Sequence, residues 1–197
     1  MVYNARTGRC GDKSNMKEWR TISSKMVYNK RRVRVLEDVV ELPDGRQTDY
    51  VMLQGGEAVA VLPLTSTGEV VLVKQYRYPI KVTTLELPGG GSVRGESIQE
   101  SAGRELQEET GYRAGRLTYL GSFYPSPARS SARVHVYVAD QLQSVPAARE
   151  PDEFIELELV EWDRLLTMVV QNEITDPTLA WAVLMWQARR NGERGQG

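Results

Sequence analysis

The sequence predicts an α+β fold built in layers, and three observations predict it. Short alternating or wholly apolar runs recur along the chain, they stand on both sides of one strongly patterned central helix, and two further helical segments close the sequence. At 197 residues, 41% of them hydrophobic, the chain can build one large core with a small appendage. Its 25 basic residues nearly balance 26 acidic ones, and a net charge of -1 gives no global pull toward nucleic acid or a membrane. Cys10 is the only cysteine, so no intramolecular disulfide can form, and in a polar arm it is expected to be inert. The first residues lack the apolar stretch of a signal peptide, and runs such as Ala58 to Leu64 are too short to cross a bilayer. A soluble cytoplasmic protein is expected.

Residues 1–18 are polar and unpatterned and read as a frayed arm. From Met26 the chain turns β-branched. Val33 to Leu36, the turn signal Pro43-Asp44-Gly45, and Thr48 to Leu53 together predict a hairpin. A second pair spans Ala58 to Leu62 and Val70 to Tyr76, joined through Thr65-Ser66-Thr67-Gly68. Further strands are predicted at Leu117 to Phe123, Val134 to Ala139 and Phe154 to Val160. The central helix should run from an N-cap at Ser97, with Glu100 at capping-box spacing, to Thr110, with Gly111 as its stop. A second helix should begin near Trp162. A third should begin at Asp176-Pro177, a cap followed by proline at the first helical position, and run to about Arg190.

The chemistry lies in the stretch Gly89 to Tyr112. With about 100° per residue, Ile98, Ala102 and Leu106 form one apolar arc of the central helix. Glu105 and Glu109 fall beside and within that arc, with Glu108 on its flank, so these carboxylates turn partly toward the protein. Glu105 and Glu109 stand four apart, where like charges destabilise a helix by roughly 0.2–0.5 kcal/mol. All three occupy the C-terminal half, where the macrodipole already disfavours negative charge. Clustered carboxylate oxygens are what hard divalent cations take, and magnesium fills its remaining positions with water and phosphate. Glu96 and Arg104 are placed to hold the cluster from behind.

Three nearby glutamates alone are more often a solvated acidic face than a metal site. Spacing changes the odds. Gly90, Glu96, Arg104, Glu105, Leu106, Glu108, Glu109 and Gly111 fit Gly-x5-Glu-x7-Arg-Glu-U-x-Glu-Glu-x-Gly-U, the Nudix box. Seven fixed identities at ~7% or less each give a chance match of about one in a million for a chain of this length. Tyr112 replaces the usual aliphatic residue at the last position. The chain resembles the Nudix hydrolases, and within them the branch of ADP-ribose pyrophosphatases and nucleoside-diphosphate-sugar hydrolases. The likeness extends from about residue 26 to 190. It includes Gln75 to Pro79, Leu85 to Gly89, the segment Tyr124-Pro125-Ser126-Pro127, with Pro127 16 residues past Gly111, and Asp152 to Glu156.

That resemblance implies an α/β/α sandwich around a mixed sheet, with an N-terminal β extension. The implied organisation is an arm at 1–18, a dimerising β extension at 19–55, a Nudix domain at 56–190 and a tail at 191–197. It implies Mg²⁺, with Mn²⁺ as a substitute, bound by Glu105 and Glu109 with help from Glu108 and the Gly89 carbonyl. Arg77 is implied to contact the diphosphate, and Glu86 to position substrate or metal. Glu153 is implied as general base, with Glu156 in reserve. Tyr50, Pro127 and Arg133 complete the expected substrate contacts, Tyr50 by stacking on a base, with Tyr28 a weaker candidate. A homodimer with no nucleic-acid or membrane partner is expected. The implied reaction is cleavage of ADP-ribose to AMP and ribose 5-phosphate. Alternatives are another sugar nucleotide such as GDP-mannose or ADP-glucose, a non-catalytic ADP-ribose sensor, or an enzyme of capped or triphosphate RNA ends. A sensor would be expected to have lost acids that this box keeps. Near-zero charge and Pro127 weigh against RNA.

After Pro127 the family often carries a glycine and then an acid, whereas this chain reads Ala128 to Arg133 with none. Other residues take plainer readings. His135, the sole histidine, sits in an alternating strand and is expected to be structural. Trp162, Trp181 and Trp186 are expected in core or dimer packing. The run Lys30-Arg31-Arg32-x-Arg34 reads as a solvated edge strand.

Overall fold

A computed structural model describes residues 3–4, 9–10, 17–31, 33–147 and 154–194. By its internal contacts the chain divides into two compact units, Met1–Gln54 and Gly55–Gly197.

In the first unit, Tyr3–Asn4 (β1) pairs antiparallel with Arg9–Cys10 (β2). Arg20–Lys30 (β3), Val33–Glu41 (β4) and Gln47–Leu53 (β5) form an antiparallel sheet in the order β3-β4-β5. The Pro43-Asp44-Gly45 turn closes the β4–β5 hairpin, with Gly45 at φ 86° and its N–H donating to the Leu42 carbonyl at 2.9 Å. The predicted hairpin is β4–β5, and β3 of the same chain adds a third strand to it. One expectation is corrected here: the basic run is not an edge strand. Lys30 ends β3, Arg31 takes the connecting turn at φ 52°, and Arg34 lies on β4, the central strand.

The second unit begins with Glu57–Pro63 (β6) and Glu69–Arg77 (β7), followed by Val82–Glu86 (β8) and Gly89–Gly91 (β9). Helix α1 covers Ile98–Thr110. Then come Tyr112–Arg113 (β10), Arg116–Phe123 (β11), Arg133–Asp140 (β12), Gln143–Ser144 (β13) and Glu156–Glu161 (β14). Helices α2 (Trp162–Val170) and α3 (Pro177–Arg194) close the unit. The last strand starts at Glu156 rather than Phe154, and α3 continues past Arg190. One sheet runs β11-β12-β6-β9, a second runs β14-β7-β8, and β10 pairs with β13. Only β6 and β12 pair in parallel among the described strands.

The apolar run of β6 is explained by burial on both faces. Val59 and Val61 join Ala102 and Leu106 of α1 and Tyr137 and Ala139 of β12 in one core. Ala60 and Leu62 join Val136, Val138, Trp162, Leu165, Leu179 and Val183 in another, with α2 and α3. This places helices on the two faces of a mixed sheet, the α+β sandwich that the sequence predicts. Trp162 is buried, and Trp181 and Trp186 pack partly buried against the same core. No described helix is long and apolar enough to cross a membrane.

Candidate active site

The local sequence builds α1 as predicted. The Ser97 hydroxyl accepts from the Glu100 N–H at 3.2 Å, and the Glu100 carboxylate accepts from the Ser97 N–H at 2.7 Å. Gly111 ends the helix at φ 70°, where its N–H reaches the Gln107 carbonyl. This frame buries two acids: Glu105 is 9% exposed and Glu109 is 5%. Such burial is costly for a carboxylate unless partners compensate.

Those partners come from β9 and from Arg104. The Gly89 N–H donates to Glu109 Oε2 at 2.9 Å. Arg104 donates from Nη1 to Glu105 Oε1 at 2.9 Å and to Glu108 Oε2 at 2.8 Å, and from Nε to both Glu96 oxygens at 3.2 Å. Its Nη2 reaches the Gly91 carbonyl at 3.2 Å. Glu96 also accepts from Ser101 Oγ at 2.9 Å. Desolvation alone would lower the guanidinium's proton affinity, but the surrounding carboxylates outweigh it and raise it. Glycine lets β9 pass close to the helix: a Cβ on Gly90 would stand 2.6 Å from Glu105 Oε1.

A second ion pair lies on β7 and β8. Arg77 Nε donates to Glu86 Oε1 at 2.7 Å, and Nη2 bonds Oε2 of the same carboxylate. Thr84 Oγ1 also donates to Glu86, and Gln75 approaches it at 3.4 Å. Burial would raise the Glu86 carboxyl, but the bonds from Arg77 and Thr84 prevail and hold it below its ordinary value. Arg77 is stabilised as a cation first by Glu86, and further by Asp176 and Glu109. Of the α1 acids, Glu109 is therefore within electrostatic reach of Arg77.

The remaining residues are less tightly assembled. Glu156 is exposed on β14 opposite Lys74. Glu153 lies outside the described residues. Pro127 sits in an exposed turn, and the loop that carries it is tied to Gly55, whose N–H donates to Ser131 Oγ at 3.0 Å. Arg133 donates to Ser122 Oγ at 3.1 and 2.7 Å and lies 5.9 Å from the Tyr124 ring centroid. His135 bridges Glu57 and Tyr119, so it has a structural bonding role. In the first unit, Tyr50 meets Trp19 edge-on at 6.0 Å. Thr84 joins the site through its bond to Glu86, and period-2 alternation along β8, which puts Thr84 and Glu86 on one face, is the sequence signal that points to it.

Residues 56–182 match the NUDIX domain, and residues 19–50 match the nucleoside diphosphate sugar hydrolase N-terminal domain. The chain belongs to the Nudix hydrolases. It is 35% identical over 174 residues to an ADP-ribose pyrophosphatase of Bacillus subtilis, covering 87% of this chain and 94% of that one. It is 34% identical over 168 residues to a methanol dehydrogenase activator of Bacillus methanolicus, covering 84% and 91%. In fold it is similar to the crystal structure of an ADP compounds hydrolase, with a TM-score of 0.81 at 22% identity, over 93% of this chain and 98% of that one. The box of this Nudix hydrolase is thus the β9–α1 unit, with its acids partly buried against glycine backbone.

The donor set is compatible with a hard cation. Glu105, Glu108 and Glu109 offer only oxygen, and Gly90, lacking a Cβ, lets the Glu105 carboxylate lie against β9. Among the described residues no three acidic, histidine or cysteine side chains converge on one point. Arg104 instead gathers Glu105 and Glu108, so a bound cation would have to compete with that guanidinium.

Proposed function

We propose that this Nudix hydrolase cleaves the diphosphate of a nucleoside diphosphate sugar, with ADP-ribose and water giving AMP and ribose 5-phosphate. The observation that carries this reading is the burial of Glu105 and Glu109 against Gly89 and Gly90, in a unit that also fixes Arg77 against Glu86 on β7 and β8. The relatives named for ADP-ribose and the match to a sugar-nucleotide hydrolase N-terminal domain support the substrate class.

In this reading Glu105 and Glu109 hold Mg²⁺, with Glu108 and the Gly89 carbonyl assisting. The metal supplies charge neutralisation of the diphosphate and a lowered pKa for bound water. Arg77 binds a phosphate oxygen through the guanidinium edge that does not bond Glu86. Glu86 fixes that guanidinium through its two bonds, which preserves the fork geometry that matches phosphate. Glu153 accepts the proton of the attacking water, with Glu156 as the alternative, a contribution typically worth ~10²–10⁴ in rate. Pro127 and Arg133 contact the groups attached to the diphosphate. The active form is a homodimer in the cytoplasm.

A panel assay with phosphatase coupling tests the reading across ADP-ribose, GDP-mannose, ADP-glucose, dinucleoside polyphosphates and nucleoside triphosphates. ADP-ribose is expected to give the highest kcat/KM. If GDP-mannose or ADP-glucose exceeded it by ~10-fold, about 1.4 kcal/mol, ADP-ribose would be abandoned and the class kept. Preference for triphosphates or dinucleoside polyphosphates over every sugar nucleotide would remove the class.

A further inference from the structure

Counting back by twos from the residues that α1 covers leads to a second group of polar side chains on the same sheet face. Val59 and Val61 of β6 and Tyr137 and Ala139 of β12 pack with α1, and Glu57, His135 and Arg133 continue those two rows. The His135 ring bonds the Glu57 carboxylate through Nε2 and meets the Tyr119 hydroxyl at Nδ1, 3.3 Å away. An ionised carboxylate only accepts, so Nε2–H donates to Glu57, and in the neutral ring Nδ1 then accepts from the Tyr119 O–H. Tyr119 is held in turn: its ring meets Tyr137 edge-on at 5.2 Å, and Arg189 donates to its carbonyl at 3.1 Å. Glu57, by contrast, is open. Its side chain is 47% exposed against 13% for His135, and among the described residues only His135 bonds its carboxylate, through Oε2. Arg133 stands opposite it in the β6–β12 register with the opposite charge, a cross-strand arrangement that ordinarily pairs, yet that guanidinium donates to Ser122 instead.

The backbone ties this cluster to the candidate active site. Val59 pairs with Gly90, against which Glu105 rests, and Glu57 lies two residues along the same strand, about 7 Å away on the same face. The Glu57 carbonyl accepts from both the N–H and the hydroxyl of Ser92 at 3.0 Å, and the neighbouring Gly91 carbonyl takes its bond from Arg104. A sugar joined to a diphosphate held by the α1 acids extends over a distance of that order. We propose that Glu57 is a specificity-determining residue that accepts from a hydroxyl of the sugar through Oε1, and that His135, anchored by Tyr119, positions it. The proposal rests on the reading of the substrate as a nucleoside diphosphate sugar. A carboxylate repels phosphate oxygens and offers acceptors without donors, and sugar hydroxyls supply the donors it lacks. His135 lowers the cost of that contact, because a glutamate already held in one rotamer loses less freedom when the sugar arrives.

Two substrates test this: ADP-ribose, or the sugar nucleotide turned over fastest, and the n-pentyl ester of the same nucleoside diphosphate, whose alkyl chain carries no hydroxyl. Glu57→Ala is expected to lower kcat/KM for the sugar nucleotide by ~10-fold or more and that for the pentyl ester by less than about 2-fold, because only the first loses a bond. Its melting temperature should hold. His135→Phe should lower the ratio of the two kcat/KM values by ~3–10-fold, the range for freeing one side chain. In the double variant the ratio should fall no further than in Glu57→Ala, since His135 acts through Glu57. Equal losses on both substrates would overturn the proposal, because Glu57 would then serve the shared nucleoside diphosphate or the fold. An unchanged ratio in Glu57→Ala would overturn it too, and additive losses in the double variant would end the positioning role of His135. If the wild type turned over no sugar nucleotide, the proposed function itself would fall, and this proposal with it.

Discussion

Gly90→Ala should inactivate this enzyme while barely changing its stability. A Cβ there would stand 2.6 Å from Glu105 Oε1 and 2.7 Å from its Cδ and Oε2. Ordinary contact begins at 3.4 Å, so the carboxylate must retreat by about 0.8 Å, the difference of 3.4 and 2.6. The obstacle is the far end of a flexible side chain, so it can retreat at the expense of its bond from Arg104. Such a charge-assisted bond is worth about 1.5–3 kcal/mol net when lost outright, and a retreat of this size weakens it without removing both charges from each other's reach. Replacing glycine stiffens the unfolded chain and returns about 0.4–1 kcal/mol. Stability should therefore shift by less than about 1 kcal/mol, a few degrees in Tm. Activity has no such compensation, since misplacing a catalytic group by ~1 Å can cost ~10²-fold. Gly89→Ala is the control: its Cβ would strike the Val59 carbonyl and come within 2.9 Å of Ala60 Cα, both backbone of the neighbouring strand. Overpacking there should cost about 1–3 kcal/mol or more. Thermal melts and steady-state kinetics at saturating Mg²⁺ separate the two variants. Wild-type kcat in Gly90→Ala, or an equal loss of Tm in both, would refute the reasoning.

Activity is expected to need added Mg²⁺ or Mn²⁺, and Glu109→Gln should nearly abolish turnover with the fold intact; normal rates from verified metal-free protein would remove the metal reading. Glu153→Gln should lower kcat far more than it raises KM, with Glu156→Gln milder, because a base acts in the transition state; the reverse ranking moves the base to Glu156. Glu86, held below its ordinary value of 4.5, should contribute stability that is present above that value and lost as pH falls through its folded value. Urea midpoints measured downward from pH 5 should fall more steeply in the wild type than in Glu86→Gln, and parallel curves would contradict the sign. Light scattering at micromolar concentration should give twice the 22.2 kDa chain mass, and a monomer mass would end the homodimer proposal.

The sequence disclosed most where local chemistry decides structure. Ser97, Glu100 and Gly111 carry the ends of α1 in their own side chains and conformations, so its limits were legible to the residue. β6 and β7 were legible because strands buried on both faces read as unbroken apolar runs. β3 was not. Its 11 residues are exposed throughout and its pairing with β4 shifts register between Thr21 and Ser23 and between Met26 and Tyr28, so no period of two survives in the sequence. β9 is three glycines, which have low strand propensity and are held there by pairing with Ala58 to Ala60. In the site, the acids of α1 followed from helical spacing. The bonding of Arg77 to Glu86 did not, because it joins residues on different elements and no local pattern records that juxtaposition.

The same distinction bears on why α1 tolerates its acids. Arg104 brings one positive charge to three carboxylates, Glu96, Glu105 and Glu108, while Glu109 accepts from the Gly89 amide and lies within electrostatic reach of Arg77. A helix selected for stability alone would not bury Glu105 and Glu109 four residues apart at its negative end, since apolar residues of similar size would fill the same space without desolvation. Arg104 therefore compensates the cluster in part. On the proposed reading that partial compensation suits a site that must bind a divalent cation and later release its products. Were the acids fully paired by protein cations, a metal would gain little by displacing them. Were they wholly unpaired, the helix would carry an uncompensated buried charge. A guanidinium shared among three carboxylates lies between these limits, since none of the three holds it alone.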